Sequence, residues 1–436
     1  MSETATPAAD PTPPPQKRRW LRRLAIIALI ALVLLVLALR FALRPQFATS
    51  VILHEAGRAL GLEITASGAS EYDISGTPRV VLRGLSARQP GTSRELFRAE
   101  RVYLSLPWET LKTQGRVLDI ERIELDAPVL DLAALEAWQK TRPASGETQL
   151  PVLQRGLKLV RGEVIGAGWK IDRIGIDIAH FEAGEPLAAH LSGRYQADAL
   201  SLPFDLSLAL SQAASDAGLG LSGQLTPTAR DWRMPIRLRL RAPIHFDDGA
   251  LNLQPARLGA SARYLAGDGS TPIAFAFGAY GPARIAASGL DWPQLALALR
   301  GQDIAPDLDG AGRLAVGEQL DFALVGQLAE WRRQWPALPA PLAQSRSPLP
   351  FTARYRGALD FTDPLDLHLQ RDATRFDGRF RLNEVIGWID APATGAPLPP
   401  LDGRLTSPRL EISGVLLEGV EIEIDDPTVP DDAPIQ

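Results

Sequence analysis

The chain has 436 residues, of which 45% are hydrophobic and 22% are charged, and its formal net charge is −5 at pH 7. This composition fits a folded protein, whereas nucleic-acid binding would call for a basic face that such a charge does not indicate. Cysteine is absent, which excludes disulfides, thiolate catalysis and cysteine-ligated zinc.

The N-terminal part of the chain predicts a membrane anchor. Residues 1–16 are rich in Pro, Ala and Thr and are expected to form a disordered cytoplasmic tail. In the segment 17–44, basic residues precede a run from Leu24 to Leu39 that has no polar side chain. Continued to Leu43, it is long enough to cross a hydrocarbon core of about 30 Å. The basic flank places the N-terminus in the cytoplasm. A cleaved signal peptide is the alternative, but its apolar region is usually shorter, about 7–15 residues.

Beyond the anchor, the chain alternates apolar and polar residues with a period of two. A short helix is predicted at 47–61 and begins a β segment over 45–141, which is followed by a loop at 142–150. Residues 151–424 are predicted to be a β-rich domain, and residues 425–436 an acidic disordered tail. Alternation gives each strand one apolar and one solvated face, which is typical of antiparallel sheets. The predicted strands are more numerous than those of a compact sandwich. We therefore expect a mainly β fold with a few short helices, in which an elongated sheet curls into an apolar groove.

The apolar members of the alternating segments are the candidate groove residues. An open groove is one interpretation of these rows, and a sealed core between two sheets is the other. The candidates are Val102, Leu104, Leu106, Leu206, Leu208, Leu210, Ile236, Leu238, Leu240, Phe275, Phe277, Leu295, Leu297, Leu299, Phe322, Leu324, Leu365, Leu367, Leu369, Phe380, Leu382, Ile422 and Ile424.

A segment rich in Trp and Pro at about 328–350 interrupts the alternation. Leu328, Trp331 and Trp335 would share one face of a helix. Two interpretations stay open: a short interfacial helix that contacts lipid, or a helix or loop that packs over the sheet.

Motifs for catalysis and metal binding are incomplete. His54 and Glu55 begin a zinc-protease pattern, but Arg58 stands where the second histidine is needed. Asp307 and Asp309 match part of a calcium loop, but Ala311 occupies a ligand position. We therefore expect no catalytic residues, no metal and no cofactor.

Several segments of the sequence resemble the AsmA-like family of bacterial inner-membrane proteins, which is related to TamB. The segments are PRVVLRGLSAR, LFRAERVYLSLPWETL and GRVLDIERIELDAPVLDL, which follow the predicted anchor and helix in the family's order. In the last of them, the family's pattern of spaced apolar residues is occupied by Ile120, Ile123, Leu125, Pro128, Leu130 and Leu132. The resemblance covers residues 20–190 well and the rest more loosely.

The resemblance implies a location and a function. It implies a single-pass protein of the bacterial inner membrane whose bulk is periplasmic. Its groove would bind phospholipid acyl chains and contribute to lipid transfer or outer-membrane homeostasis. The alternative is a non-catalytic envelope scaffold that supports outer-membrane protein assembly. The expected partners are the inner membrane, phospholipids and proteins of outer-membrane or periplasmic assembly, with no nucleic acid.

Overall fold

The structure is a computed structural model, and it describes the chain in fourteen stretches. They are 57–58, 60–67, 71–73, 76–109, 119–141, 151–230, 232–267, 271–335, 338, 340, 342–359, 361–390, 400–412 and 414–426. The predicted cytoplasmic tail, the predicted anchor at 17–44 and the loop at 142–150 lie outside these residues, as do most of the leading helix and nearly all of the acidic tail. Within them, no helix is long and apolar enough to cross a membrane.

The described chain is mainly β, with few helices, of which two α-helices and one short 3₁₀ helix are described from end to end. The N-terminal strands are β1 (Glu63–Ala66), β2 (Glu71–Asp73), β3 (Arg79–Arg88), β4 (Glu95–Ser105), β5 (Asp119–Ile120), β6 (Arg122–Asp126), β7 (Val129–Asp131) and β8 (Val152–Leu153). The middle strands are β9 (Leu157–Ile165), β10 (Trp169–Ile178), β11 (Leu187–Ala197), β12 (Leu200–Leu210), β13 (Asp216–Leu225), β14 (Trp232–Arg233), β15 (Ile236–Asp247), β16 (Ala250–Ala266), β17 (Ile273–Ala286) and β18 (Gly289–Gly301). The last strands are β19 (Leu308–Val316), β20 (Leu320–Leu328), β21 (Leu349–Gly357), β22 (Leu365–Arg371), β23 (Thr374–Phe380), β24 (Asp402–Ile412) and β25 (Val415–Ile424). The helices are α1 (Leu132–Lys140), the 3₁₀ helix Leu342–Gln344 and α2 (Leu382–Asp390).

Twenty-three of these strands form one continuous sheet. From β9 to β25 each strand pairs antiparallel with the next along the chain, except that β13 pairs with β15 while β14 pairs with β16. Parallel pairing occurs where β6 and β7 meet β9, and between β5 and β8 in a separate two-stranded sheet. At about 4.8 Å per strand, a sheet of this width extends on the order of 90 Å.

The sheet is curled, as the sequence predicts for a sheet of so many strands. A strongly twisted open sheet rarely exceeds about 10 strands without curling. Irregularities of register occur side by side in β15 to β19, for example between Arg241 and Ile244 and between Leu253 and Ala256. Bulges bend a strand and increase its local twist. The middle of the sheet is therefore bent along its strands as well as twisted across them.

Helix α1 closes the N-terminal end of the sheet. Asp131 caps it, because its Oδ1 accepts a hydrogen bond of 2.9 Å from the backbone N of Ala134. Leu135 and Trp138 face inward and pack with Leu60 and Leu85 in the first apolar core. The alternating pattern did not predict this helix.

The structure corrects one prediction of secondary structure and decides between the alternatives for another segment. Leu382 is predicted at the end of a strand, but β23 ends at Phe380 and Leu382 begins α2. Residues 329–335 contain a turn and no helix, so of the interpretations left open for this segment only a loop fits. At Leu382 the alternation is too short to outweigh the packing of α2 against the sheet, and in the loop Trp335 Nε1 donates a hydrogen bond of 2.9 Å to the backbone oxygen of Ile304.

Candidate functional site

The register of the sheet places apolar residues of successive strands on one face. Directly paired residues of neighbouring strands lie on the same face. Ala189 pairs with Leu208, Leu208 with Leu221, Leu221 with Leu240 and Leu240 with Leu258. Followed in this way from β11 to β21, each paired position on this face is Leu, Ile, Val, Phe, Tyr, Trp, Ala or Gly. We call it the apolar face, and the opposite side the polar face.

Nearly all candidate groove residues in strands lie on the apolar face. The register assigns to it Leu206, Leu208, Leu210, Ile236, Leu238, Leu240, Phe275, Phe277, Leu295, Leu297, Leu299, Phe322, Leu324, Leu365, Leu367, Leu369, Phe380, Ile422 and Ile424. Val102 and Leu104 join it through β6, whose residues pair in parallel with β9. Leu106 lies just beyond β4, and Leu382 lies in α2.

On strands β10 to β13, which we call the open section, the side chains of the apolar face are all partly exposed. Among described residues between Leu153 and Ala242, no apolar side chain is fully buried. Leu206, Leu208 and Leu221 are each partly exposed. In this section the leucines shield one another only in part, and a ligand has apolar surface to contact.

Some of the candidate residues elsewhere are packed closely. Leu104 and Leu106 are buried in the second core with Ile120, and Val102 packs against the first core. Leu295 is 4% exposed, in the core around Trp292. For these residues the structure agrees with a sealed core.

A further core closes the C-terminal end of the apolar face. Leu365 and Phe380 are buried around Tyr355, in a core against which Val385 of α2 packs. Here too the structure agrees with a sealed core, in contrast to the open section, where no described apolar side chain is fully buried.

Glycines and aromatic rings shape the floor of the apolar face. A Cβ at Gly193 would lie 2.7 Å from Cζ of Phe204, and one at Gly326 would lie 2.9 Å from Cε1 of Phe351. In both pairs the ring lies over the backbone of a glycine in the neighbouring strand. The rings cover glycine backbone that would otherwise be open to a ligand, which keeps the apolar surface continuous.

The polar face carries charged side chains that pair across strands. Arg194 Nη2 lies 2.6 Å from Asp172 Oδ2, and this hydrogen bond holds the pKa of Asp172 below its usual value. The ring of His245 hydrogen-bonds to Asp216 at 2.6 Å, which raises the pKa of His245 and lowers that of Asp216. Both pairs join neighbouring strands and stabilise the sheet.

The described residues offer no group of three or more His, Asp or Glu that could hold a metal ion. Most of the calcium-like pattern falls on β19, where Asp309 pairs with Arg300, and Asp307, just before the strand, pairs with Arg332. A strand cannot wrap its residues around an ion as a calcium loop does. The His54 pattern lies outside the described residues.

Sequence reasoning missed several residues of the open section. Leu200, Leu202 and Phe204 extend the row of β12, and Trp169 and Tyr195 form a ring contact with centroids 5.8 Å apart. The alternation of β12 in fact begins at Leu200, and Pro203 within it obscured the signal.

Comparison with protein families, with curated proteins and with solved structures found no match. The fold and the site define a class: a mainly β protein with one long, curled antiparallel sheet. One face of that sheet is apolar and uncharged over eleven consecutive strands, β11 to β21. The resemblance to the AsmA-like family stays a prediction.

Proposed function

We propose that the chain is a membrane-anchored protein that binds phospholipid acyl chains on the apolar face, beginning at the open section. In this proposal it contributes to lipid transfer or outer-membrane homeostasis in a bacterial envelope. Binding requires no catalytic residue, metal or cofactor.

The physical basis is the cost of exposing acyl chains to water. Each CH₂ group contributes about 0.8 kcal/mol, so two chains of a phospholipid cost on the order of tens of kcal/mol outside a bilayer. A long apolar surface offsets this cost along its whole length while the headgroup stays in solvent. A charged side chain within that surface would have to be desolvated by the ligand, which would weaken binding.

The single observation that carries the proposal is the uncharged apolar face from β11 to β21 with its accessible leucines on β12 and β13. A soluble protein rarely leaves a large contiguous apolar surface open to water without a ligand or partner. The length of the surface, many strands wide, matches a chain-like hydrocarbon better than a compact metabolite.

Membrane attachment is a separate part of the proposal and rests on the apolar run at 24–43. We expect full-length protein to stay with membranes after alkaline carbonate washing. Reporter fusions should place residue 16 in the cytoplasm and residue 151 in the periplasm. Release of the protein by carbonate would contradict the proposed membrane attachment, and the opposite reporter result would contradict the proposed orientation.

The test of lipid binding uses photo-crosslinking in the full-length chain. A benzophenone amino acid replaces Leu208 on the apolar face or, as the matched control, Ala209 on the polar face of the same strand. We expect crosslinks to phospholipid from position 208 at least tenfold above those from position 209. Equal lipid crosslinking from both positions would overturn the groove.

A second pair of variants tests the same surface by co-purification. Leu206→Asp with Leu208→Asp places two charges on the apolar face, and Ser207→Asp with Ala209→Asp places them on the polar face. Phospholipid bound after gentle extraction should fall several-fold for the first pair only. Loss of a protein partner with lipid retained would instead support the scaffold.

A further inference from the structure

Three arginines lie in a line on the polar face of β15. Arg237, Arg239 and Arg241 alternate with residues of the apolar face, and their side chains are exposed. Alternate residues of a strand stand roughly 7 Å apart, so the three charges span roughly 14 Å. Within the described part of the chain, they form no hydrogen bond or ion pair.

The neighbouring strand adds positive charge to this line. Arg257 of β16 lies directly opposite Arg241 in the register, and its guanidinium stands over the ring of Tyr280, 5.6 Å from the centroid. Arg263 of β16 is exposed and likewise has no ion-pair partner among the described residues. Like charges placed directly opposite each other destabilise a sheet. This arrangement therefore reduces stability unless an anion neutralises it.

Other parts of the polar face pair opposite charges. Arg356 Nη2 lies 2.9 Å from Asp321 Oδ2, and Arg404 Nε lies 3.2 Å from Glu421 Oε1. The line of β15 arginines departs from this pattern, and it does so where the surface is also concave.

Two hollows flank the line of arginines. One, of about 720 Å³, has cationic and amide side chains in its lining: Arg233, Arg237, Arg263, Arg300, Gln224 and Gln302. The other, of about 800 Å³, is lined in part by Arg239, Arg241, Ser207 and Ser222, with Asp177 also in its wall. Small residues beside the arginines, such as Gly259, leave open space above the strands.

We propose that this cluster, Arg233, Arg237, Arg239, Arg241, Arg257 and Arg263, is a binding site for a ligand that carries phosphate groups. The planar guanidinium donates paired hydrogen bonds to phosphate oxygens and stays charged at any physiological pH. Three guanidinium groups in a line can bind a ligand that carries more than one phosphate group. The site lies on the face opposite the apolar surface, so it stands independently of acyl-chain binding.

The phosphate has two possible sources with the same chemistry: a water-soluble phosphate compound or an anionic phospholipid headgroup. Inorganic pyrophosphate serves as the probe for the first, measured by calorimetry with full-length protein in phosphatidylcholine nanodiscs. For the second, native mass spectrometry counts the lipids retained by full-length protein from micelles with equal phosphatidylglycerol and phosphatidylcholine.

The test variant and its control remove the same number of positive charges. The test variant carries Arg237→Thr, Arg239→Thr and Arg241→Thr. The control carries Arg354→Thr, Arg375→Thr and Arg404→Thr, all exposed positions on β21, β23 and β24. Because the β15 arginines lack partners in the described chain, the test variant should melt no lower than the wild type.

The site is supported if pyrophosphate binds wild type and control and binds the test variant at least tenfold more weakly, which identifies a soluble phosphate. It is also supported if wild type and control retain phosphatidylglycerol in preference to phosphatidylcholine and the test variant shows no such preference. That result identifies a lipid headgroup. Equal loss in both triple variants, or no phosphate dependence in either arm, overturns it. Leu206→Asp with Leu208→Asp should leave pyrophosphate binding unchanged, so failure of the groove is distinguishable from failure of this site.

Discussion

The indole Nε1 of Trp138 donates a hydrogen bond of 2.8 Å to the backbone oxygen of Leu60, 78 residues away in sequence. Trp138 is 1% exposed and Leu60 is equally buried, so the bond lies inside the first core. It ties helix α1 to the residues that precede β1 and completes the closed N-terminal end of the sheet.

Substitution of Trp138 should separate the hydrogen bond from the packing. Trp138→Phe removes the indole donor, and the buried backbone oxygen of Leu60 then has no hydrogen bond from this side chain. The free energy of unfolding should fall by about 1–3 kcal/mol. Trp138→Ala also leaves a cavity, and the reduction should be about 3–5 kcal/mol. Urea denaturation of full-length protein in micelles measures both. A Trp138→Phe variant as stable as wild type would mean that the bond contributes nothing, and equal losses in the two variants would mean that the cavity adds nothing.

Gly281 provides a test of the bent middle of the sheet. Its φ is 141°, and a Cβ there would lie 1.9 Å from the backbone oxygen of Gln294 and 2.9 Å from Nε1 of Trp292. Gly281→Ala should therefore destabilise the protein by about 1–3 kcal/mol. Gly278→Ala on the same strand is the control, because its Cβ would meet only the oxygen of Leu258, at 3.8 Å. The melting temperature should fall for Gly281→Ala alone.

Arg332 joins the segment after β20 to the connection between β18 and β19. Its guanidinium hydrogen-bonds to the backbone oxygens of Ala305 and Gly301, each at 3.0 Å, and pairs with Asp307 at 2.8 Å. Arg332→Ala removes the donor of these hydrogen bonds and should lower the free energy of unfolding by about 1–3 kcal/mol. Limited proteolysis should then cleave within 329–335 faster than in wild type. Arg333→Ala, at an exposed neighbour, should leave cleavage unchanged.

The His245–Asp216 pair makes stability depend on pH. The raised pKa of His245 gives a contribution that is complete below 6.5, the ordinary value, and is lost as pH rises through the raised pKa. The lowered pKa of Asp216 gives a contribution that is present above 3.8 and is lost as pH falls through the lowered pKa. The pair should therefore contribute most between pH 3.8 and 6.5.

An NMR titration of the His245 ring checks this prediction. In Asp216→Asn the partner no longer carries a charge, so the pKa of His245 should fall toward its ordinary value. An unchanged pKa in that variant would show that the hydrogen bond at 2.6 Å is not maintained in solution.

The sequence by itself determined the period and therefore the type of most elements. In β15, Ile236, Leu238 and Leu240 alternate with arginines. A β-strand places successive side chains on opposite faces, which an α-helix does not. It also indicated a single long sheet, because the alternating segments outnumber the strands of a sandwich.

Only the tertiary structure decided the register, and through it the apolar face. Alternation within one strand does not say which residue of the next strand lies opposite, and a slip of one residue would reverse the faces. Packing also distinguished the accessible Leu208 from the buried Leu295, although both stand in equivalent sequence patterns. Burial depends on residues distant in sequence that cover or leave open the same surface. The alignment of arginines from β14, β15 and β16 around shared hollows has the same origin, because it exists only once the strands are paired.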